Sequence, residues 1–186
     1  EPNVMVVVGR GDKAREFCHY SVVLMFSCDY FDAMLSNKMK ECREMKITFP
    51  YKDPDEWDMV YPFLEPACGD RERCTISMEN VFKLLPWFSE LGLGSLLEHC
   101  DETMVAEIDR MFPCGFMTTS NERCFSIVVD MWSAADRFVL HRTKLRALDC
   151  ILRSFQVAME ELEVFMSNNV DLVDRLKPLL LHSSPN

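Results

Sequence analysis

Val4-Met5-Val6-Val7-Val8 is a continuous apolar, mostly β-branched run, and Gly9-Arg10-Gly11-Asp12 closes it. The pattern predicts a strand buried on both faces, followed by a tight turn. A second short strand from about Arg15 to Cys18 completes a hairpin. Gly9 and Gly11 invite comparison with a dinucleotide-binding loop, but no third Gly follows at the required spacing and Glu16-Phe17-Cys18 does not open a helix. Cofactor binding is therefore not expected. Further on, Met45-Lys46-Ile47-Thr48-Phe49 alternates apolar and polar residues as a half-buried strand does, which predicts a third strand.

Between these strands, Ser21 to Leu35 divides into two short helical segments around Ser27-Cys28-Asp29, with Ser27 placed to cap the second. The polar stretch Ser36 to Glu44 reads as a solvated loop. Asp53-Pro54-Asp55-Glu56 is a strong helix start, with Asp53 as cap, Pro54 in the first turn and Glu56 reaching back to the cap. That helix is expected to bury Trp57, Val60, Phe63 and Leu64 and to kink or end near Pro62. After a charged loop over residues 66–76, Ser77 is placed to cap a helix carrying Met78, Val81, Phe82, Leu84, Leu85 and Phe88, disturbed at Pro86 and finished by Gly92. Ser95 with Glu98 forms a capping box for the next helix, through Leu96, Leu97, Cys100 and Met104.

Pro113 and Gly115 break the pattern over residues 110–119, so a module boundary is expected there. Thr119 with Glu122 then begins a helix in which Phe125, Val128, Val129, Trp132, Ala135 and Phe138 recur near the 3.6 period. Helices over about Lys144 to Phe155, Ala158 to Met166 and Val170 to Leu181 complete the chain. The turn around Leu91 and Leu93 is echoed around Phe138 and Leu140, which predicts stacked helical hairpins. The fold expected is α+β: a small sheet with surrounding helical hairpins over residues 1–109, a linker over 110–119 and an all-α extension over 120–186.

Composition narrows the function. Twenty Lys and Arg against thirty Asp and Glu give a net charge of −10, which repels a nucleic-acid backbone. No apolar run approaches the roughly 18 residues of a membrane span, and the N-terminus lacks the order of a signal peptide. Neither nucleic acid nor membrane is expected as a partner. Nine cysteines spread along the chain, with no C-x-x-C, read as reduced thiols of a cytoplasmic or nuclear protein. Glu1 in place of Met leaves processing or flanking domains open.

Catalytic chemistry has little to stand on. Cys18-His19 and His99-Cys100 set thiols beside imidazoles, but sequence neighbours diverge on a strand and on a helix, so neither is a nucleophile–base couple. His141 and His182 have no Gly-rich context pointing to an oxyanion hole. A cysteine-dependent hydrolase is thus a minor alternative with no assignable catalytic residue. Cys68 and Cys74, with Asp70 and Glu72 between them, are the only pair at all suggestive of metal, at a separation longer than zinc sites normally use. No metal ligand is assigned.

Taken in order, these residues resemble the BTB/POZ domain family. The resemblance runs through Val4 to Gly9, Phe17-Cys18-His19, Val23-Leu24, Ser27, Tyr30-Phe31 and Met34-Leu35. It continues with Met39-x-Glu41, Ile47-x-Phe49, Asp55-x-Trp57, Asn80-Val81-x-x-Leu84-Leu85, Leu91-Gly92-Leu93 and Cys100, covering about residues 3–104. In that family the His begins the first helix. Asn3 and Tyr20 stand where the family carries a buried charged pair near its dimer interface, so that pair is absent. Glu65-Pro66-Ala67 replaces its usual Tyr-Thr-Gly-like turn, and the N-terminal strand exchanged between protomers in many members is not part of the match. Ala134-Ala135-Asp136-Arg137-Phe138-x-Leu140 and Lys144-Leu145-x-Ala147 resemble the helical extension of BTB cullin adaptors.

The resemblance implies a protein-interaction module that links a cullin-type ubiquitin ligase scaffold to an unidentified protein substrate. Met39 and Glu41 match the hydrophobic-x-Glu motif with which family members bind the cullin. The alternative use of Met39 is packing on its own domain. A second implication is a self-associating scaffold or transcriptional regulator, a homodimer paired through Val22, Val23, Met25 and Phe26. The alternative for those four is the protein's own core.

Overall fold

The computed structural model describes residues 1–36, 39–65, 74–113 and 122–157. Its architecture is α+β: among the described residues, one three-stranded sheet is surrounded by eight helices. Pro66 and Ala67 of the expected turn, Cys68 and the rest of the loop to residue 73, residues 114–119 of the linker with Thr119 of the capping box, the last two expected helices and His182 lie outside the described residues.

Strand β1 (Val4–Val8) occupies the middle of the sheet, antiparallel to β2 (Arg15–His19) and parallel to β3 (Lys46–Phe49). Its alternate side chains Val4, Val6 and Val8 are buried, while Met5 and Val7 are half-buried. The expectation of burial on both faces is therefore corrected: one face meets the core and the other is only partly covered. Gly9 closes the strand at φ +94°, and a Cβ there would stand 2.9 Å from the Lys13 carbonyl oxygen, so the turn admits no side chain.

A parallel partner needs a crossover, and three short helices supply it: α1 (Ser21–Ser27), α2 (Asp29–Ser36) and α3 (Lys40–Glu44). Asn3 starts α1, because its Oδ1 accepts from the Ser21 N–H at 2.8 Å while its Nδ2 donates to Ser21 Oγ at 3.0 Å. Ser27 does not cap α2. Its hydroxyl donates back to the Leu24 carbonyl at 2.6 Å, ending α1 instead, as serines do when a preceding-turn carbonyl is in reach. The solvated loop expected over Ser36 to Glu44 contains the single helical turn α3. His19, expected at the start of the first helix, ends β2.

Helix α4 (Pro54–Leu64) begins as expected, with Asp53 Oδ1 accepting from the Asp55 N–H at 3.0 Å. Glu56 does not reach back to the cap: its Oε2 accepts from the Trp87 Nε1–H at 2.9 Å, a longer-range donor whose burial demands a partner. Trp57, Val60 and Leu64 are buried, Phe63 only half. Pro62 lies inside the helix, which ends two residues later. Helix α5 (Val81–Glu90) begins one turn after Ser77. The Asn80 side chain ties the entry instead, accepting from the Ser77 N–H and donating to the Thr75 carbonyl, each at 2.9 Å.

Helix α5 ends at Gly92 in the left-handed conformation, with the Leu93 N–H bonded to the Phe88 carbonyl at 2.8 Å and the Gly92 N–H to that of Ser89 at 3.3 Å. Helix α6 (Gly94–Met111) follows directly, with Leu93 at its cap, so Ser95 lies inside it and forms no capping box. Helices α7 (Glu122–Phe138) and α8 (His141–Val157) form the second hairpin, α8 beginning three residues before the expected Lys144. Val128, Met131, Trp132 and Ala135 of α7 and Ala147, Cys150 and Ile151 of α8 are buried with the residues of α5 and α6 in one hydrophobic core. Phe31, Phe49, Trp57, Trp87 and Phe88 supply its aromatic centre, with Trp57 and Trp87 centroids 5.3 Å apart.

Asp101 of α6 joins the hairpins. It is buried, and its carboxylate accepts from the Arg142 N–H at 3.1 Å and the Thr143 N–H at 2.7 Å, while Thr143 Oγ1 donates to the Asp101 carbonyl at 3.0 Å. A carboxylate from one hairpin thus satisfies the orphan donors at the start of the other and complements the helix dipole.

Candidate functional site

Met39 stands at the N-cap position of α3, half of its surface open at 49% exposure. It therefore does not bury itself fully in its own domain. Glu41 follows on the first turn, half-buried, and α3 packs beside α2 and β3. Two backbone bonds hold the pair: the Arg43 N–H donates to the Met39 carbonyl at 3.3 Å, and the Met45 N–H donates to the Glu41 carbonyl. Tyr30 of α2 lies within the field of Glu41. Burial, then the Glu90 and Glu41 charges, raise its phenol above the ordinary tyrosine range.

Lys52 anchors the end of the sheet to α5. Its Nζ lies 2.8 Å from Glu90 Oε2, donates to the Pro86 carbonyl at 3.0 Å and sits 4.7 Å from the centre of the Trp87 ring. A single cation thus meets a carbonyl within α5, a carboxylate and an aromatic face.

The four residues expected at a dimer interface divide. Val22 and Phe26, one helical turn apart on α1, are exposed at 53% and 82%, and Tyr20 beside them at 47%. Val23 is half-buried, and Met25 packs against the core. Of these four, Val22 and Phe26 are the two open to a second molecule. A separate open groove of about 400 Å³ runs between α5 and α7, lined by Phe82, Pro86, Ser133, Ala134 and Phe138 with Asp130 and Arg137.

The thiol–imidazole pairs do not converge. Cys18 faces out, whereas the neighbouring His19 is buried, stacked on Tyr61 with centroids 3.9 Å apart. His19 Nε2 accepts from the Trp57 Nε1–H at 3.0 Å, which places the ring proton on Nδ1. Burial lowers its pKa to about 4, so it is neutral at physiological pH. Cys100 is buried while His99 faces solvent, and burial together with the Asp101 charge pushes the Cys100 thiol up to about 12. Only one member of each pair, His19 and Cys100, is buried. Among the described residues no disulfide forms, no group of three or more His, Cys, Asp or Glu side chains is placed to hold a metal, and no helix is long and apolar enough to cross a membrane.

Asn3 and Asp101 escape the sequence reading, and Met45, expected to begin the third strand, instead ends α3 just before β3. Asn3 was seen only as the replacement of an acidic residue, and nothing in the local sequence connects Asp101 with a helix that starts 40 positions later. Met45 sits in a left-handed conformation at φ +49°, without the Gly or Asn that usually signals it.

No family model matches the chain. It is similar to Kelch-like protein 17 of mouse, rat and human, at 29% identity over 127 residues, or 68% of this chain. The chain spans 19% of the length of the mouse and rat proteins and 18% of the human one.

Proposed function

We propose that this chain is a BTB/POZ-type adaptor module, without catalytic activity of its own, that links a cullin-type ubiquitin ligase scaffold to a protein substrate. The reading rests on the exposed Met39 one residue before the helical turn that carries Glu41, on an α+β frame whose elements follow the family order. Likeness to Kelch-like proteins supports the same reading. Burying Met39 in a partner contributes about 1–2 kcal/mol, given that half its surface is already covered. Glu41 contributes orientation more than affinity. The substrate is held by the helical extension or by sequence outside this chain, and the complex works in the cytoplasm or nucleus.

The expected result is that Met39→Ala combined with Glu41→Lys abolishes co-purification with cullin scaffold proteins while leaving the circular-dichroism melt unchanged. Retained binding would remove the assignment. A second reading, a self-associating scaffold or transcriptional regulator without a ligase, is favoured by the open Val22 and Phe26 stripe. The two readings are compatible at the level of a homodimer. Sedimentation decides that state: a 21.7 kDa species independent of concentration excludes the dimer.

A further inference from the structure

We propose that Met45 is a positioning residue that holds Met39 and Glu41 in a partner-ready arrangement, an inference that rests on the reading of that pair as the partner contact. A helix of five residues, as α3 is, does not stand on its own, because nucleating the first turn costs more than its few bonds return. Something outside α3 must order it. Met45 does so from three directions. Its φ of +49° and ψ of +42° turn the chain back so that its N–H reaches the Glu41 carbonyl, the single-bond form of a left-handed helix stop. Its carbonyl accepts from the Met5 N–H of β1 at 2.9 Å, and its side chain packs against the core. The central strand is thereby linked through one residue to the backbone of Glu41. Met39, whose carbonyl takes the Arg43 N–H, is carried on the same turn.

A left-handed backbone is unfavourable for Met and persists where surrounding bonds over-determine it. Here the conformation is required for the Glu41 bond, and it spares the partner the entropic cost of ordering the turn on binding. In the parent the packing of the Met45 side chain helps to offset the cost of that conformation, so once the packing is removed affinity should follow the left-handed tolerance of residue 45.

Three substitutions in the full chain separate these. Met45→Asn and Met45→Ala both lose the packing, but only Asn favours the left-handed region, while Met45→Ile keeps apolar volume and resists that conformation. Binding to purified cullin scaffold is measured beside thermal melts. Met45→Asn is expected within about threefold of the parent, and Met45→Ala and Met45→Ile about three- to tenfold weaker. If affinity instead falls in step with melting temperature, or if Asn and Ala lose equally, Met45 has no positioning role. The Asn and Ala contrast stands even where Met45→Ile does not fold. Retained binding by the Met39→Ala, Glu41→Lys variant removes the underlying reading and this inference with it; loss of binding there with equal Asn and Ala affinities overturns the Met45 inference alone.

Discussion

The corners of the two hairpins reach one backbone geometry from different residues. At the α5–α6 corner Gly92 adopts φ +69°, and at the α7–α8 corner Val139 adopts φ +59°. In each, the next residue donates to the carbonyl five positions back: Leu93 to Phe88 at 2.8 Å, Leu140 to Ala135 at 2.9 Å. Glycine enters this conformation freely, whereas a β-branched side chain there costs about 1–2 kcal/mol. Val139 is exposed at 66%, so its own packing does not offset the cost. The offset comes from around it: Leu140 is buried, and Asp101 fixes the start of α8 two residues further on. A tight corner can thus be made either by a permissive residue or by constraint applied from a neighbouring hairpin.

Asp101→Ala attacks that constraint directly. It leaves the Arg142 and Thr143 amides without their acceptor in a largely buried setting, and a loss of about 3 kcal/mol is expected in urea denaturation. Asp101→Asn, which keeps one acceptor oxygen, should lose less. If the alanine variant costs no more than an exposed cap, the α7–α8 corner is held by something other than Asp101.

Acidification tests the sheet against both corners. His19 has a folded pKa of about 4 against an ordinary value of 6.5. Above 6.5 it is neutral in both states; as pH falls from there, the unfolded chain takes up the proton while the folded one does not. Stability should therefore drop by up to about 3 kcal/mol between pH 6.5 and 4, then stop responding to this group. His19→Gln, which retains an acceptor for Trp57, should flatten that slope. An unchanged slope would mean that His19 is not the group responsible.

Exchanging the corner residues gives the smaller effects, of opposite sign. Gly92→Val meets no atom within 4 Å of the new Cβ, so only the backbone conformation resists it, and about 1–2 kcal/mol should be lost. Val139→Gly should raise stability by about 1 kcal/mol or less, because glycine also gains freedom in the unfolded chain. Equal changes of the same sign at both positions would show that the two corners do not share a conformational requirement.

Features that depend on a few adjacent residues were legible in the sequence. The Val4 to Val8 strand, the Asp53-Pro54 helix start, the Gly92 stop and the 3.6 period of α7 each follow from local sterics or periodicity. The echo between Leu91-Gly92-Leu93 and Phe138-Val139-Leu140 was legible too, though not the left-handed valine inside it. Two of the departures fell where a polar side chain had two possible partners. Ser27 chose the preceding carbonyl over the following helix, and Glu56 chose Trp87 over its own cap, because tertiary neighbours supplied the better-placed group. At the candidate site, the sequence pointed to Met39 and Glu41 as a motif within a loop. The helical turn that carries them is bonded to Met45, which in turn meets β1 through Met5, a contact between residues 40 positions apart.

The bonds from Asp101 to Arg142 and Thr143 also bear on the order of folding. They join residues 41 and 42 positions apart, so the start of α8 is completed only after α6 has formed and a long loop has closed. Such a contact is expected on the late side of the transition state. Its removal should leave the refolding rate nearly unchanged and accelerate unfolding, giving Asp101 a φ-value near zero in a protein whose Val4 to Val8 hairpin forms from neighbours in sequence.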